Sequence, residues 1–373
     1  MSDLKIKKLA SNIIQTSIKL KQNENLLIEV TGEDGIPLAK EIELQAKEIK
    51  AIPKVKLVNY NKLKDFLLNA TEEEIKIYGK KDLKTMEKMQ AYIGISSPTK
   101  DRPLEGVPQE KLEIYNKFYV KPVHLEQRVK KTKWCILRYP NEFLATKNNM
   151  NLQKFKEFFF DVCNVDYAKM SIAMDALKEV MNNTDKVHII APETDLTFSI
   201  KGIPAEKYYG TFNIPDGEVA TAPIKNSVNG ILTYNTKTKY NEIIFENIKF
   251  RFENGKIVEA NANEHTEELN KILDTDKGAR YIGEFAFGLN PYINNTMCDT
   301  LFDEKINGSF HFTPGMALEE SDNGNRSAIH WDIVKILRKE FGGGKIYFDD
   351  VLIMEDGRFI LPELENLNPE KLI

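Results

Sequence analysis

The chain has 373 residues, 42% hydrophobic and 29% charged, a composition that fits a soluble globular protein long enough for two domains. Its 52 basic and 56 acidic residues leave a net charge of −4, which argues against a surface built to coat nucleic acid. No apolar run approaches the roughly 18 residues of a bilayer span, Met1-Ser2-Asp3-Leu4-Lys5 opens no signal peptide, and Cys135, Cys163 and Cys298 form neither a disulfide framework nor a Cys-x-x-Cys motif, so a cytoplasmic location without a membrane partner is expected.

Taken in order, residues 3–22 repeat apolar side chains at a helical period and 25–30 form a short apolar strand. Residues 38–49 read as helix, 53–59 as strand, 71–89 as helix with Thr71, Glu72, Glu73 and Glu74 suiting its start, and 91–95 as strand. A strand at 133–138 and a helix at 166–181 follow. Helices alternating with nearly all-apolar strands predict a mostly parallel sheet covered on both faces. No Gly-x-Gly-x-x-Gly or Walker loop accompanies it, and Gly342-Gly343-Gly344-Lys345 reads as a flexible turn. Beyond about residue 185 the texture changes. Segments 194–201, 231–234, 242–252, 256–260 and 345–354 are rich in β-branched and aromatic residues, with turns at Asn254-Gly255 and Asp356-Gly357. The predicted architecture is an α/β N-terminal domain (1–184) with a mostly parallel sheet, followed by a β-rich α+β C-terminal domain (185–373) that carries the metal site.

The candidate chemistry lies in that second half: Glu218, Glu284, His311 and His330-Trp331-Asp332. The chain has only five histidines, and two of these stand nineteen positions apart among carboxylates. Alternation of Ile329, Trp331 and Ile333 with His330 and Asp332 predicts a strand over 328–333. Side chains two apart on a strand share a face at roughly 6.5 Å, near enough for His330 and Asp332 to reach one cation. Trp331 then points away and packs in the core beneath the site. Glu218 follows the loop punctuation of Pro215 and Gly217, and Glu284 is a carboxylate in an apolar stretch, where burial demands a partner or a metal. His188, inside an apolar strand, reads as a core or edge residue, and His124 and His265 read as surface loop residues.

Four blocks in order carry a family resemblance: Asn213-Ile214-Pro215-Asp216-Gly217-Glu218-Val219, Gly283-Glu284-Phe285-Ala286-Phe287-Gly288-Leu289-Asn290, Asp303-Glu304-Lys305-Ile306-Asn307-Gly308-Ser309-Phe310-His311 and Ser327-Ala328-Ile329-His330-Trp331-Asp332. The chain resembles the aminopeptidase T and aminopeptidase S family of metallo-aminopeptidases. The resemblance implies a homodimeric enzyme that takes a peptide substrate and uses two divalent ions, zinc, cobalt, manganese or magnesium. It also implies Glu218, Glu284, His311, His330 and Asp332 as metal ligands, with Glu284 bridging both ions. Two ions roughly 3.5–4 Å apart suit hydroxide generation and carbonyl polarisation. Either Glu218 or Glu284 then serves as the carboxylate that moves the proton from water to the leaving amine.

Two departures stand out. The family places a tyrosine seven residues after its first site histidine, where this chain has Leu318, and the connection between the two histidines is shorter here, with a turn at Glu319-Glu320-Ser321-Asp322-Asn323-Gly324. These keep open a mononuclear iron ring-cleaving dioxygenase, for which His311, His330 and Asp332 make a 2-His-1-carboxylate set, and a catalytically silent relative.

Overall fold

A computed structural model describes residues 2–373. The chain divides into two compact units, Met1–Asn164 with Gly210–Ile214, and Val165–Tyr209 with Pro215–Ile373.

The first unit is built on four parallel strands, β1 (Asn25–Thr31), β2 (Ile52–Val58), β3 (Ala91–Ser96) and β4 (Lys133–Arg138), in the order β2-β1-β3-β4, with the two-residue strand Asn213–Ile214 beside β4. Its leading helices are α1 (Ser2–Asn12), α2 (Ile36–Glu48), α3 (Tyr60–Asn69) and α4 (Glu72–Met86). Asn59 caps α3 by accepting from the Lys62 amide, and Thr71 and Glu74 form the capping box that opens α4. Strand alternation divides the core. Leu27 and Tyr92 pack against Leu63 and Leu67 of α3 and Ile75 and Met86 of α4. Val30 and Ile95 face the other way, towards the start of α2 at Gly35. The helix after β1 and the helices after β2 therefore cover opposite faces, and the chain order reverses between β1 and β3.

The second unit is antiparallel. An eight-stranded sheet contains β5 (Lys186–Ala191), β6 (Thr194–Ser199), β9 (Asn229–Thr233), β10 (Lys249–Glu253), β11 (Lys256–Asn261), β15 (Lys345–Phe348), β16 (Val351–Glu355) and β17 (Arg358–Phe359), in the order β11-β10-β9-β6-β5-β15-β16-β17. A five-stranded sheet contains β7 (Glu206–Tyr208), β8 (Glu218–Thr221), β12 (Ile282–Gly288), β13 (Ser309–Pro314) and β14 (Val334–Ile336), in the order β14-β13-β12-β8-β7. Aromatic side chains join the two sheets: Phe198 lies 5.0 Å by ring centroid from both Phe285 and Phe312, and Phe287 lies 5.6 Å from Phe359. Among the described residues no helix is long and apolar enough to cross a membrane.

Several boundaries differ from expectation. The helix Tyr167–Asn183 belongs with the second unit, because it packs on β7 and β8 and the Tyr167 hydroxyl accepts from the Asp216 amide at 3.1 Å. The predicted strand 345–354 is a hairpin turning at Asp349 and Asp350, both at positive φ, a primed turn made without glycine. Residues 242–252 hold two strands, Ile243–Phe245 and β10, separated at Asn247, which also has positive φ. No ladder strand spans 328–333. His330 makes a single bridge to Gly315, and regular pairing begins at Val334, because backbone bonds from Met316 to Ile329 and from Trp331 to Pro314 follow a bulged path. His124 is part-buried in a π-helical segment, 5.4 Å from Tyr119, rather than in a surface loop, whereas half-buried His188 lies on β5, paired on both sides by β6 and β15, and bonds Asp195 at 2.8 Å.

The register of β12 shifts between Ile282 and Glu284, making Gly283 the extra residue. A Cβ on Gly283 would stand 2.2 Å from the Met316 carbonyl oxygen, so only glycine fits without displacing backbone. Gly283→Ala is expected to lower unfolding free energy by about 1–3 kcal/mol, the usual cost of overpacking, as read by urea denaturation.

Candidate metal centre

The five-stranded sheet explains how carboxylates and imidazoles converge within an apolar sequence. On β12 and β13 the alternate residues Phe285, Phe287, Phe310 and Phe312 are fully buried in the aromatic core, which turns Glu284 and His311 to the opposite face. Glu218, the first residue of β8, pairs across from Gly288 of β12 and from Tyr208 of β7. His330 and Asp332 keep a local alternation without a ladder. Ile329 and Trp331 are buried on the other side, where the Trp331 indole N–H donates to Thr238 Oγ1 at 3.1 Å and its ring lies 5.2 Å from Phe245.

All five sequence-predicted residues come together. Glu218, Glu284 and His311 form one group, and Glu284, His330 and Asp332 a second, with ligand atoms in each within 4.8 Å of one another. Glu284 belongs to both through different oxygens: Oε1 is 3.7 Å from His311 Nε2 and Oε2 is 3.1 Å from His330 Nε2. His311 Nε2 is also 3.6 Å from Glu218 Oε2, and His330 Nε2 is 3.2 Å from Asp332 Oδ1. Second partners orient the ligands. His330 Nδ1 lies 2.8 Å from the Met316 carbonyl, which can only accept, so the proton sits on Nδ1 and the Nε2 lone pair faces two carboxylates. Thr313 donates to Asp332 Oδ1 at 2.7 Å.

A lone pair aimed at carboxylate oxygens is repulsive unless a cation, a proton or a metal, stands between them. Burial, the largest influence on either imidazole, lowers its pKa, but Asp332 and Glu284 more than offset it at His330 and raise the pKa to about 12, and Glu284 and Glu218 raise that of His311 to about 9. Burial also lifts Glu218 to about 7 against the pull of Lys305, whereas in Glu284 the two histidines outweigh burial and lower the pKa. Glu218 Oε2 and His311 Nδ1 are buried with no hydrogen-bond partner. This donor set, mixed imidazole and carboxylate with an orphaned buried oxygen, fits divalent cations.

Sequence reasoning gave no role to the cation already present. Lys305, 1% exposed, lies 2.6 Å from Glu218 Oε1, 2.8 Å from Glu304 and 3.5 Å from Asp216. Burial pulls its pKa down, yet the three carboxylates together outweigh that and hold it charged. Following Asp303 and Glu304 directly, it reads as surface charge, and only an apolar surrounding sequence would have signalled otherwise. Tyr208 is the other unforeseen neighbour. Burial first, then the Glu284, Glu320 and Glu218 carboxylates, keep its phenol protonated far above the ordinary range.

The family described as thermophilic metalloprotease (M29) matches residues 2–359. The chain belongs to that family. It is 27% identical over 310 residues to aminopeptidase PepS of Streptococcus thermophilus, covering 70% of this chain and 74% of that relative. The solved structure of wild-type AmpT from Thermus thermophilus superposes with a TM-score of 0.77 at 21% identity, covering 97% of this chain and 100% of its own. A 2,5-dihydroxypyridine dioxygenase from Pseudomonas putida KT2440 superposes with a TM-score of 0.61 at 14% identity over 98% of this chain and 99% of its own. At these identities both structures speak to fold alone. The chain is a metallo-aminopeptidase, a hydrolase dependent on divalent metal, and the oxygenase reading is not favoured.

The metal-free metalloprotease should lose stability as pH rises from 6.5 to about 9, because folded His311 keeps a proton there that the unfolded chain has released. Metal should reverse the sign at the acidic end, since protons then compete with it for the same nitrogens. Thermal melting across that pH range, with and without chelator, reads both effects.

Proposed function

We propose that Glu218, Glu284 and His311 hold one divalent ion and Glu284, His330 and Asp332 a second, and that the enzyme releases single residues from the N-termini of peptides. The observation that carries this reading is the division of Glu284, one oxygen towards each histidine. When bound, such a pair of ions polarises a scissile carbonyl and makes bound water a nucleophile near neutral pH. The protein's own groups do the rest. Both oxygens of Glu284 are committed, which suits a bridging ligand. Glu218 has Oε1 tied to Lys305, which leaves Oε2, without a hydrogen-bond partner, to hold an ion, and the carboxylate that takes a proton from water and delivers it to the leaving amine is Glu218 or Glu284. Lys305 holds Glu218 in place. Homodimeric assembly and a cytoplasmic setting belong to the same reading and rest on the family resemblance and on cysteine usage.

With Leu318 at the family's tyrosine position, Tyr208 is proposed as the hydroxyl that steadies the developing oxyanion. It stands directly across the ladder from Glu218, so the two side chains leave the sheet on one face.

Elemental analysis is expected to give two divalent ions per chain, and leucine release from a short peptide should depend on added cobalt, zinc or manganese. Glu284→Ala should lose both ions and the activity; one ion per chain, or unchanged turnover in the variant, would sink the reading. Tyr208→Phe should lower kcat by about 10²-fold with KM little changed, the scale of losing one oxyanion donor, and an unchanged kcat would remove Tyr208 from the mechanism.

A further inference from the structure

The two candidate ion groups are matched in ligands and mismatched in surroundings. Each has one imidazole, one carboxylate of its own and a share of Glu284. What stands behind those ligands differs. On the first group's side, Glu218 Oε1 is 2.6 Å from the Lys305 ammonium, itself 1% exposed, so one oxygen is already given to a fixed positive charge and Oε2 is left for an ion. Asp216 and Glu304 also approach Lys305, at 3.5 and 2.8 Å, but do not cancel it at Glu218, where Lys305 acts more strongly than any other charged neighbour, ahead of His311, Glu284 and Asp216. On the second group's side, Asp332 Oδ1 accepts from the neutral Thr313 hydroxyl at 2.7 Å, and among the described residues no lysine or arginine pairs with Glu284 or Asp332. The imidazoles differ in the same sense. His330 Nδ1 donates to the Met316 carbonyl at 2.8 Å, which fixes the ring and makes Nε2 a stronger ligand, whereas the buried His311 Nδ1 has no hydrogen-bond partner.

We propose that the two ions are held with unequal affinity, tightly by Glu284, His330 and Asp332 and weakly by Glu218, Glu284 and His311, and that Lys305 is the positioning residue that sets the difference. The inference rests on the two-ion reading above and goes beyond it by ranking the groups. An ion at the first group shares the Glu218 carboxylate with an ammonium, and in a desolvated space two cations on one carboxylate repel each other with little screening. Outer partners that orient an imidazole ligand are worth about 10- to 100-fold in metal affinity, and of the two imidazoles it is His330 that has one. Lys305 also steadies the emptied state, because the same ammonium balances Glu218 once an ion has left and no bare carboxylate stays buried there. The first group is therefore the one that empties as free metal falls, and turnover follows its occupancy.

The test titrates cobalt(II) into the metal-free full-length chain by calorimetry, with chelator competition to reach the tighter step. Two steps separated by about tenfold or more in Kd are expected, with Asp332→Asn removing the tighter and Glu218→Gln the weaker. Lys305→Met should tighten the weaker step by about tenfold and leave the tighter one nearly unchanged. Lys305→Gln, which keeps a hydrogen-bond donor to Glu218 without the charge, should do the same and covers the case in which the methionine variant does not fold. Two indistinguishable steps in the parent would overturn the proposal and leave the two-ion reading standing. So would a weaker step that is unchanged or weakened in the Lys305 variants, the outcome expected if Lys305 did no more than hold Glu218 in place. Saturation at a single ion would instead sink the two-ion reading and the ranking together.

Discussion

Burying several carboxylates on one face of a small sheet is the constraint around which the second unit is arranged. Glu218 and Glu284 are 7% and 3% exposed, and Asp332 stands close by. Desolvated like charges at this spacing cannot all ionise without cations among them. Lys305 answers for part of the charge on the Glu218 side. It does not reach the space between Glu284, His311 and His330, where the imidazole nitrogens themselves face oxygen. Protonated imidazoles would balance that space in the metal-free protein, and divalent ions held there would balance it with both imidazoles neutral. Metal affinity, histidine ionisation and stability are therefore facets of one electrostatic problem.

The scaffold must hold that charge rigidly. The five-stranded sheet does so because its other face is locked by aromatic side chains against the eight-stranded sheet, and a one-residue slip would exchange Phe285 for Glu284. The bulge at Gly283 sets the register, and the backbone it touches is the Met316 carbonyl that orients His330. One local irregularity thereby fixes a carboxylate and the imidazole facing it.

How much of this was legible in sequence depends on the signal each feature leaves. The textures of the two halves predicted a mostly parallel α/β unit and a β-rich α+β unit, and Asn254-Gly255 and Asp356-Gly357 announced their turns through residues that tolerate positive φ. Asp349-Asp350 makes the same kind of turn without glycine and was read as strand. The two candidate ligand groups were readable because histidine is scarce and the family resemblance supplied their order. Lys305, Thr313 and the Met316 carbonyl were not, since a lysine, a threonine and a backbone oxygen gain their roles only from three-dimensional proximity. The expected strand over 328–333 failed in ladder but held in alternation: its side chains sort to two sides although its backbone pairs irregularly.

Fold likeness alone would leave the chemistry open, since AmpT and a 2,5-dihydroxypyridine dioxygenase superpose on nearly the whole chain. Family membership favours the aminopeptidase, and the side chains are consistent with it. A mononuclear iron oxygenase needs two imidazoles, one carboxylate and open positions. Here Glu218 and Glu284 add two more carboxylates in a buried space, and Glu284 faces both candidate groups at once. A single dication at His311, His330 and Asp332 would leave those added carboxylates short of positive charge, with only Lys305 beside one of them. Two dications held by these residues would balance the same set and would supply the activated water that a metal-dependent peptidase uses. The excess of carboxylate over imidazole, more than the fold, therefore favours hydrolysis over oxygen chemistry.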